Sequence, residues 1–260
     1  MADYMIKGET LTNIANAIRA KSGSSATITP IQMSTEIENI SVGGGDIDAL
    51  IDGSLTEITS NVTSVKHYAF TNCTALTSIT LPLAKTINSY AFSNCTALTS
   101  ITLPLVDYLY AYAFTNCTAL TSITLPLVEK VFAYAFSNIT ALTSITLPLL
   151  TSIQTKGFHK CMNLKKLIIG INITSKVAVL SNTDAFVDNF SGFIYVPNTL
   201  VADYRTATNW STFASQIFPW VATVEELANI DTATYTRACV GTENNGTEYT
   251  YNGTSWEVVA

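Results

Sequence analysis

Asn72-Cys-Thr-Ala-Leu-Thr-Ser-Ile-Thr-Leu-Pro-Leu83 is repeated without change from Asn94 and again from Asn116, and a fourth copy starting at Asn138 differs only in carrying Ile139 where the others have Cys. The copies are 22 residues apart, and the phase extends beyond them. Phe70, Phe92, Phe114, Phe136 and Phe158 keep it, as do Leu76, Leu98, Leu120, Leu142 and Leu164. Apolar residues locked to a fixed period of this size mean a solenoid, in which each unit buries its apolar face against its neighbours. Within a unit, Leu76-Thr-Ser-Ile79-Thr-Leu81 alternates as a short strand, and Pro82 ends it because proline cannot donate to a ladder. A variable stretch follows, ending at Ile87. Tyr90-Ala-Phe-Ser-Asn-Cys95 then forms a tight helical or 3₁₀ turn with Phe and Cys inward. The expected fold class is therefore an α/β repeat solenoid in which each unit supplies one short strand and one tight turn.

The ends differ from the middle. Thr10 caps a helix with Leu11, Ile14 and Ile18 on one face, and Thr29-Pro-Ile-Gln32 opens a second that carries Met33, Ile37 and Ile40. Residues 1–41 thus read as a helical hairpin that must dock on the solenoid, on a copy of itself or on a larger assembly. Residues 42–54 are a Gly-rich linker and lead-in, and 55–222 are the solenoid with its cap. The insertion between Ile169 and Ala185 and the large aromatics Trp210, Phe218 and Trp220 mark the closing end. Residues 223–260 read as a small β module, with Asn252-Gly253 as the hairpin signal.

The net charge of −6, with no cluster of Lys or Arg, excludes nucleic acid as a partner. Between Phe70 and Gln154 only Lys85, Asp107, Glu129 and Lys130 are charged. No apolar run reaches the roughly 20 residues of a membrane span, and the first residues lack the apolar core of a secretory signal. Either a signal has been removed or the protein leaves its cell by another route, and Met1 favours the second.

Chemistry-bearing patterns are sparse. Cys73, Cys95, Cys117 and Cys161 share one repeat position, which Ile139 also fills, so they read as a buried thiol ladder rather than a disulfide framework or zinc site. His67 and His159 fall several coils apart, and no phosphate loop or nucleophile elbow occurs. Asp107 and Glu129, on adjacent coils, match the spacing of a retaining glycosidase but lie in a variable surface stretch with no cleft. The chain therefore reads as a non-enzyme without cofactor or metal. Asn72, Asn94, Asn116 and Asn138 each begin an Asn-x-Thr triplet, and their turn position favours an amide ladder over glycosylation. Outward Ser78/Thr80, Ser100/Thr102, Ser122/Thr124 and Ser144/Thr146 form a hydroxyl grid that suits either a solvated sheet face or a polymer-binding lattice. Tyr68, Tyr90, Tyr112 and Tyr134 form an aromatic file. Tyr108, Tyr110 and Phe132 break the otherwise uniform pattern beside it, so Tyr108, Tyr110, Tyr112, Phe132 and Tyr134 are the candidate binding patch for a protein or glycan.

The unit I-x-x-Y-A-F-x-N-C-x-x-L-x-x-I-x-L-P closely resembles the BspA-like leucine-rich repeat family across about residues 55–220, and Ile194-Tyr-Val-Pro197, Tyr204, Asn209-Trp210-Ser and Phe218 look like that family's C-terminal cap. The resemblance implies a right-handed coil with a short parallel sheet on one side, and a surface-exposed protein of adhesive role. Ile6-Lys-Gly-Glu-Thr-Leu11, Ile14-Ala-Asn-Ala-Ile-Arg-Ala-Lys21 and Ile28-Thr-Pro-Ile-Gln-Met33 resemble a short N-terminal module of tailed-phage virion proteins, and Tyr249-x-Tyr-Asn-Gly-Thr-Ser-Trp256 at the other end is similar to pieces found in the same proteins. That likeness implies a virion component, assembled through residues 1–41 and released by lysis; the alternative is a bacterial surface or secreted adhesin.

Overall fold

A computed structural model describes residues 56–173, 175–186, 190–241 and 246–259. The helical reading of residues 1–41 and the linker at 42–54 lie outside these. The repeated Ser-Ile-Thr segments are strands β1 (Glu57–Thr59), β3 (Ser78–Thr80), β5 (Ser100–Thr102), β7 (Ser122–Thr124) and β9 (Ser144–Leu147). They stack in parallel, with Ile79 opposite Ile101 and Ile123 opposite Ile145. The single expected sheet is joined by a second parallel ladder in the variable stretch. It runs in two three-stranded pieces, β2 (Ser64–Val65), β4 (Thr86–Ile87) and β6 (Tyr108–Leu109), then β8 (Lys130–Val131), β10 (Ser152–Ile153) and β12 (Val179–Leu180). Each coil gives this ladder only two residues, one outward and one buried, such as Val65, Ile87 or Leu109.

The turn segment forms no helix. Its hydrogen bonds alternate: Ala69, Thr71 and Cys73 close local four-residue turns, while Tyr68, Phe70 and Asn72 donate to Ser89, Ala91 and Ser93 of the next coil at 3.2, 2.8 and 2.8 Å. Left-handed backbone at Tyr68 and Asn72 (φ 62° and 64°) turns the intervening peptide planes to permit this alternation. The same pair of conformations recurs at Tyr90/Asn94, Tyr112/Asn116, Tyr134/Asn138 and Lys156/Lys160. Asparagine tolerates it, whereas a bulky residue there is strained.

Inside the coil, Phe70, Phe92, Phe114, Phe136, Phe158 and Phe186 form one continuous stack. All five cysteines are buried and none forms a disulfide, and the thiols of Cys95, Cys117 and Cys161 donate to the carbonyls of Phe70, Phe92 and Phe136 at 3.2, 3.2 and 3.0 Å. The asparagines form the expected ladder, Asn94 to Asn72, Asn116 to Asn94 and Asn138 to Asn116 at 2.8, 2.6 and 2.8 Å. Asn116→Ala strands a donor and an acceptor and places alanine at φ 63°. It is expected to cost about 2–4 kcal/mol in urea unfolding, with Asn116→Gly, which keeps the backbone relaxed, recovering part of that loss.

The closing end lengthens the coil: β10 to β12 spans 27 residues where the repeats take 22. The first sheet then continues from β9 through β11 (Lys166–Ile169), β13 (Phe193–Pro197) and β14 (Ile217–Val221) to β15 (Arg237–Val240), all parallel. A helix, α1 (Val201–Thr206), follows β13, and Tyr204 and Trp210 seal the core through bonds to the Ala178 amide and carbonyl at 2.9 and 2.7 Å. The C-terminal hairpin, β16 (Thr247–Tyr251) and β17 (Trp256–Val258), extends this same sheet antiparallel from β15. Its turn is the four residues Asn252–Ser255, tied by three bonds to the Asn252 carboxamide oxygen at 2.9 Å.

Candidate recognition surface

Each aromatic of the predicted patch is placed by the repeat. Tyr108 opens β6 and Tyr110 follows it; Phe132 holds the Tyr110 position one coil later. Tyr112 and Tyr134 occupy the left-handed turn position, φ 61° and 58°. The structure brings these five residues together as two adjoining sets rather than one sheet of rings. Tyr108 stacks on Tyr110 at 6.4 Å and Tyr110 on Phe132 at 5.4 Å. Tyr112 and Tyr134 belong to the tyrosine file, where Tyr68, Tyr90, Tyr112 and Tyr134 stack at 4.9, 4.5 and 4.6 Å within 10° of parallel. Lys156 stands 5.6 Å above the last ring. Ring faces in the file are spent on one another, so it offers edges and hydroxyls. Tyr90, half-buried between its neighbours, has a phenol pushed up from its ordinary value by desolvation and then by Tyr112 and Tyr68.

Tyr108 is the free member, 56% exposed. What the other coils carry at the Tyr110 position shows what the fold alone asks for. Asn88 donates to the Val65 carbonyl at 2.8 Å and Gln154 accepts from the Ala133 amide at 3.3 Å. The fold uses a polar bridge there, and only the two central coils replace it with a ring.

The hydroxyl grid is less regular than its sequence. Ser78/Thr80 register with Ser100/Thr102, and Ser122/Thr124 with Ser144/Thr146, but β5 and β7 do not pair, and Thr146 is buried. Of the two carboxylates, Glu129 is exposed, while Asp107 is half-buried with Oδ1 lacking a hydrogen-bond partner among the described residues. No group of three or more His, Cys, Asp or Glu among the described residues is placed to hold a metal, and no described helix is long and apolar enough to cross a membrane.

A second cluster was not singled out by the sequence. On the outward side of the long sheet, Phe193, Phe218 and Trp220 pack around buried Ile168, Tyr195 and Cys239. Arg237 lies 4.1 Å over the Phe193 ring and 3.7 Å from Glu248, which accepts from the Tyr195 hydroxyl. Arg205 covers Tyr235 at 4.6 Å and donates to the Ile217 carbonyl at 2.9 and 3.1 Å. The period-two spacing Phe193-Ile-Tyr195 and Phe218-Pro-Trp220 is the signal that reveals it. Its cations are occupied, so the cluster roofs the sheet.

These coils match known repeats. The model of the BspA type leucine rich repeat region, in 6 copies, matches residues 53–165 and 108–183, which together span just over half of the chain. No curated protein matches it significantly. A crystal structure of a leucine-rich repeat protein from Bacteroides ovatus is 22% identical over 52% of this chain and 53% of that one, with a TM-score of 0.27. The chain thus spans about half the length of that solved protein. By its repeats, this chain belongs to the BspA type leucine-rich repeat family.

Proposed function

We propose that this chain is a non-enzymatic recognition protein whose solenoid displays Tyr108, Tyr110 and Phe132, flanked by Tyr112 and Tyr134, to a protein or glycan on a cell surface, and that residues 1–41 attach it to a phage tail as a virion component. The observation that carries the binding role is the replacement of the structural amide of Asn88 and Gln154 by Tyr110 and Phe132, beside the exposed Tyr108. Aromatic side chains give large contact area at low entropic cost. The attachment role is supported by the resemblance of residues 6–33 to a virion module. Membership of a family with many surface proteins favours the second reading, a bacterial adhesin.

One experiment addresses both roles. Light scattering of the full chain beside a version starting at Asp46 is expected to give a defined oligomer for the first and a monomer for the second; two monomers favour the adhesin. Glycan and cell-surface protein arrays probed with each form, and with the Tyr108→Ala/Tyr110→Ala variant, test the patch. Loss of about 10-fold or more in binding is expected on removing two interface aromatics, and unchanged binding removes the patch.

A further inference from the structure

Adjacent coils pair through both strand ladders everywhere in the repeats except at one junction. Among the described residues, β5 does not pair with β7, nor β6 with β8, whereas the neighbouring strands on either side do. The strands facing each other there are identical in sequence to those that pair elsewhere, Thr99-Ser-Ile-Thr-Leu-Pro-Leu105 against Thr121-Ser-Ile-Thr-Leu-Pro-Leu127. In the first ladder strand sequence is therefore not the cause, whereas in the second the facing pairs differ, Tyr108-Leu109 against Lys130-Val131. The feature common to both open edges is the thiol slot. At the other junctions a cysteine donates to the phenylalanine carbonyl of the preceding coil. Here the slot holds Ile139, which is bulkier and cannot donate to Phe114. The Phe114–Phe136 rings stand 6.1 Å apart, against 5.2, 5.4 and 5.3 Å at the other full repeats. Ile101, on the lip of the gap, is only partly buried, while its equivalents Ile79, Ile123 and Ile145 are buried.

The turn side of the junction stays closed. Tyr112, Phe114 and Asn116 donate to Ala133, Ala135 and Ser137 at 3.1, 2.9 and 3.0 Å, and Asn138 donates to Asn116 at 2.8 Å. One edge is fastened and the two strand edges are not, which is the geometry of a hinge. The gap also divides the aromatic set: Tyr108 and Tyr110 lie on one lip and Phe132 on the other, with the Tyr110–Phe132 stack crossing it.

We propose that the junction between residues 99–120 and 121–142 is a hinge opened by Ile139, and that it splits the recognition surface into two jaws which close on a partner touching both. The second part rests on the binding role proposed above; the hinge itself does not. Amide hydrogen exchange, followed by NMR on the full chain without ligand, tests it. Thr121, Lys130 and Phe132 are expected to exchange at least about 100-fold faster than Thr99, Tyr108 and Tyr110, whose amides donate to Thr77, Lys85 and Ile87 at 2.9, 3.1 and 2.9 Å. Ile139→Cys restores the missing donor and is expected to bring the two sets within about 3-fold. Cys117→Ile, which moves isoleucine into the preceding junction, is expected to expose Thr99, Tyr108 and Tyr110 instead. Equal protection of both sets in the unmodified chain overturns the hinge, and so does a chain whose exchange ignores both substitutions. Failure here leaves the Tyr108 and Tyr110 binding test standing, and failure of that test leaves the hinge.

Discussion

Phe114→Ala is expected to destabilise the protein by about 3–5 kcal/mol, the range for deleting a fully buried aromatic ring. The ring is buried between Phe92 and Phe136, at 5.4 and 6.1 Å, and lines the hinge junction. Removing it leaves a void that neither coil can fill, because each is held in register by its own ladders on the far side. A repeat array is stabilised by nearest-neighbour interfaces, so the loss falls on one interface and weakens coupling between the two halves. Urea unfolding should therefore broaden as well as shift, with a lowered apparent m-value. Phe70→Ala, in the first coil and stacked on Phe92 alone among the described residues, should shift the midpoint less and leave the transition sharp. A Phe114→Ala chain that loses under about 1.5 kcal/mol and stays fully cooperative would show that the phenylalanine stack is not what couples the coils.

The parts of this architecture written in side-chain period were legible before any coordinates. Phe, Leu, Cys and Asn each recur at 22, and each became a buried stack, a thiol-to-carbonyl contact or an amide ladder. The second strand ladder was not legible, because a coil contributes only a pair such as Thr86-Ile87 or Lys130-Val131, too short to alternate. The left-handed tyrosines were hidden for a different reason: intrinsic preference points tyrosine away from that conformation, and only stacking along the file offsets the strain. Of the candidate patch, the sequence located the unusual coils but not the division of its rings between two sets. That division follows from Tyr112 and Tyr134 sitting in the turn while Tyr108, Tyr110 and Phe132 lie at the second ladder. Ile139 was visible as the one departure from a perfect repeat, yet its effect lies in a backbone carbonyl of the previous coil, which no single-position reading reveals.

Alkaline solution is expected to destabilise this protein from about pH 9 upward, an onset below the range in which ordinary phenols titrate. Burial pushes the Cys161 thiol up to about 12 from its ordinary 9.0, and burial does the same for Cys239, to about 12, against the opposing pull of Lys166. Contact with the Cys117 thiol, followed by burial, raises Cys95 as well. Tyr195 is raised by burial and then by its bond to Glu248, and Tyr204 by burial. In each case the folded chain holds its proton more tightly than the unfolded chain does. Stability is therefore complete below the unfolded value, near 9 for the thiols, and falls as pH rises toward 12. Each thiol contributes a slope of about 1.4 kcal/mol per pH unit in that window. Cys161 and Cys239 together would remove about 8 kcal/mol by pH 12, comparable to the whole stability of an ordinary domain. Unfolding free energies measured in urea at pH 8, 9, 10 and 11 should show the decline beginning near 9, before most phenols titrate. In a Cys161→Ala/Cys239→Ala chain the starting value should be lower, because two buried side chains are truncated, but the slope between pH 9 and 11 should lose about 2.7 kcal/mol per unit. A double variant with the same slope as the unmodified chain would mean that these thiols ionise together with the solvent-exposed reference, and that the coil interior is open to hydroxide on the timescale of the measurement.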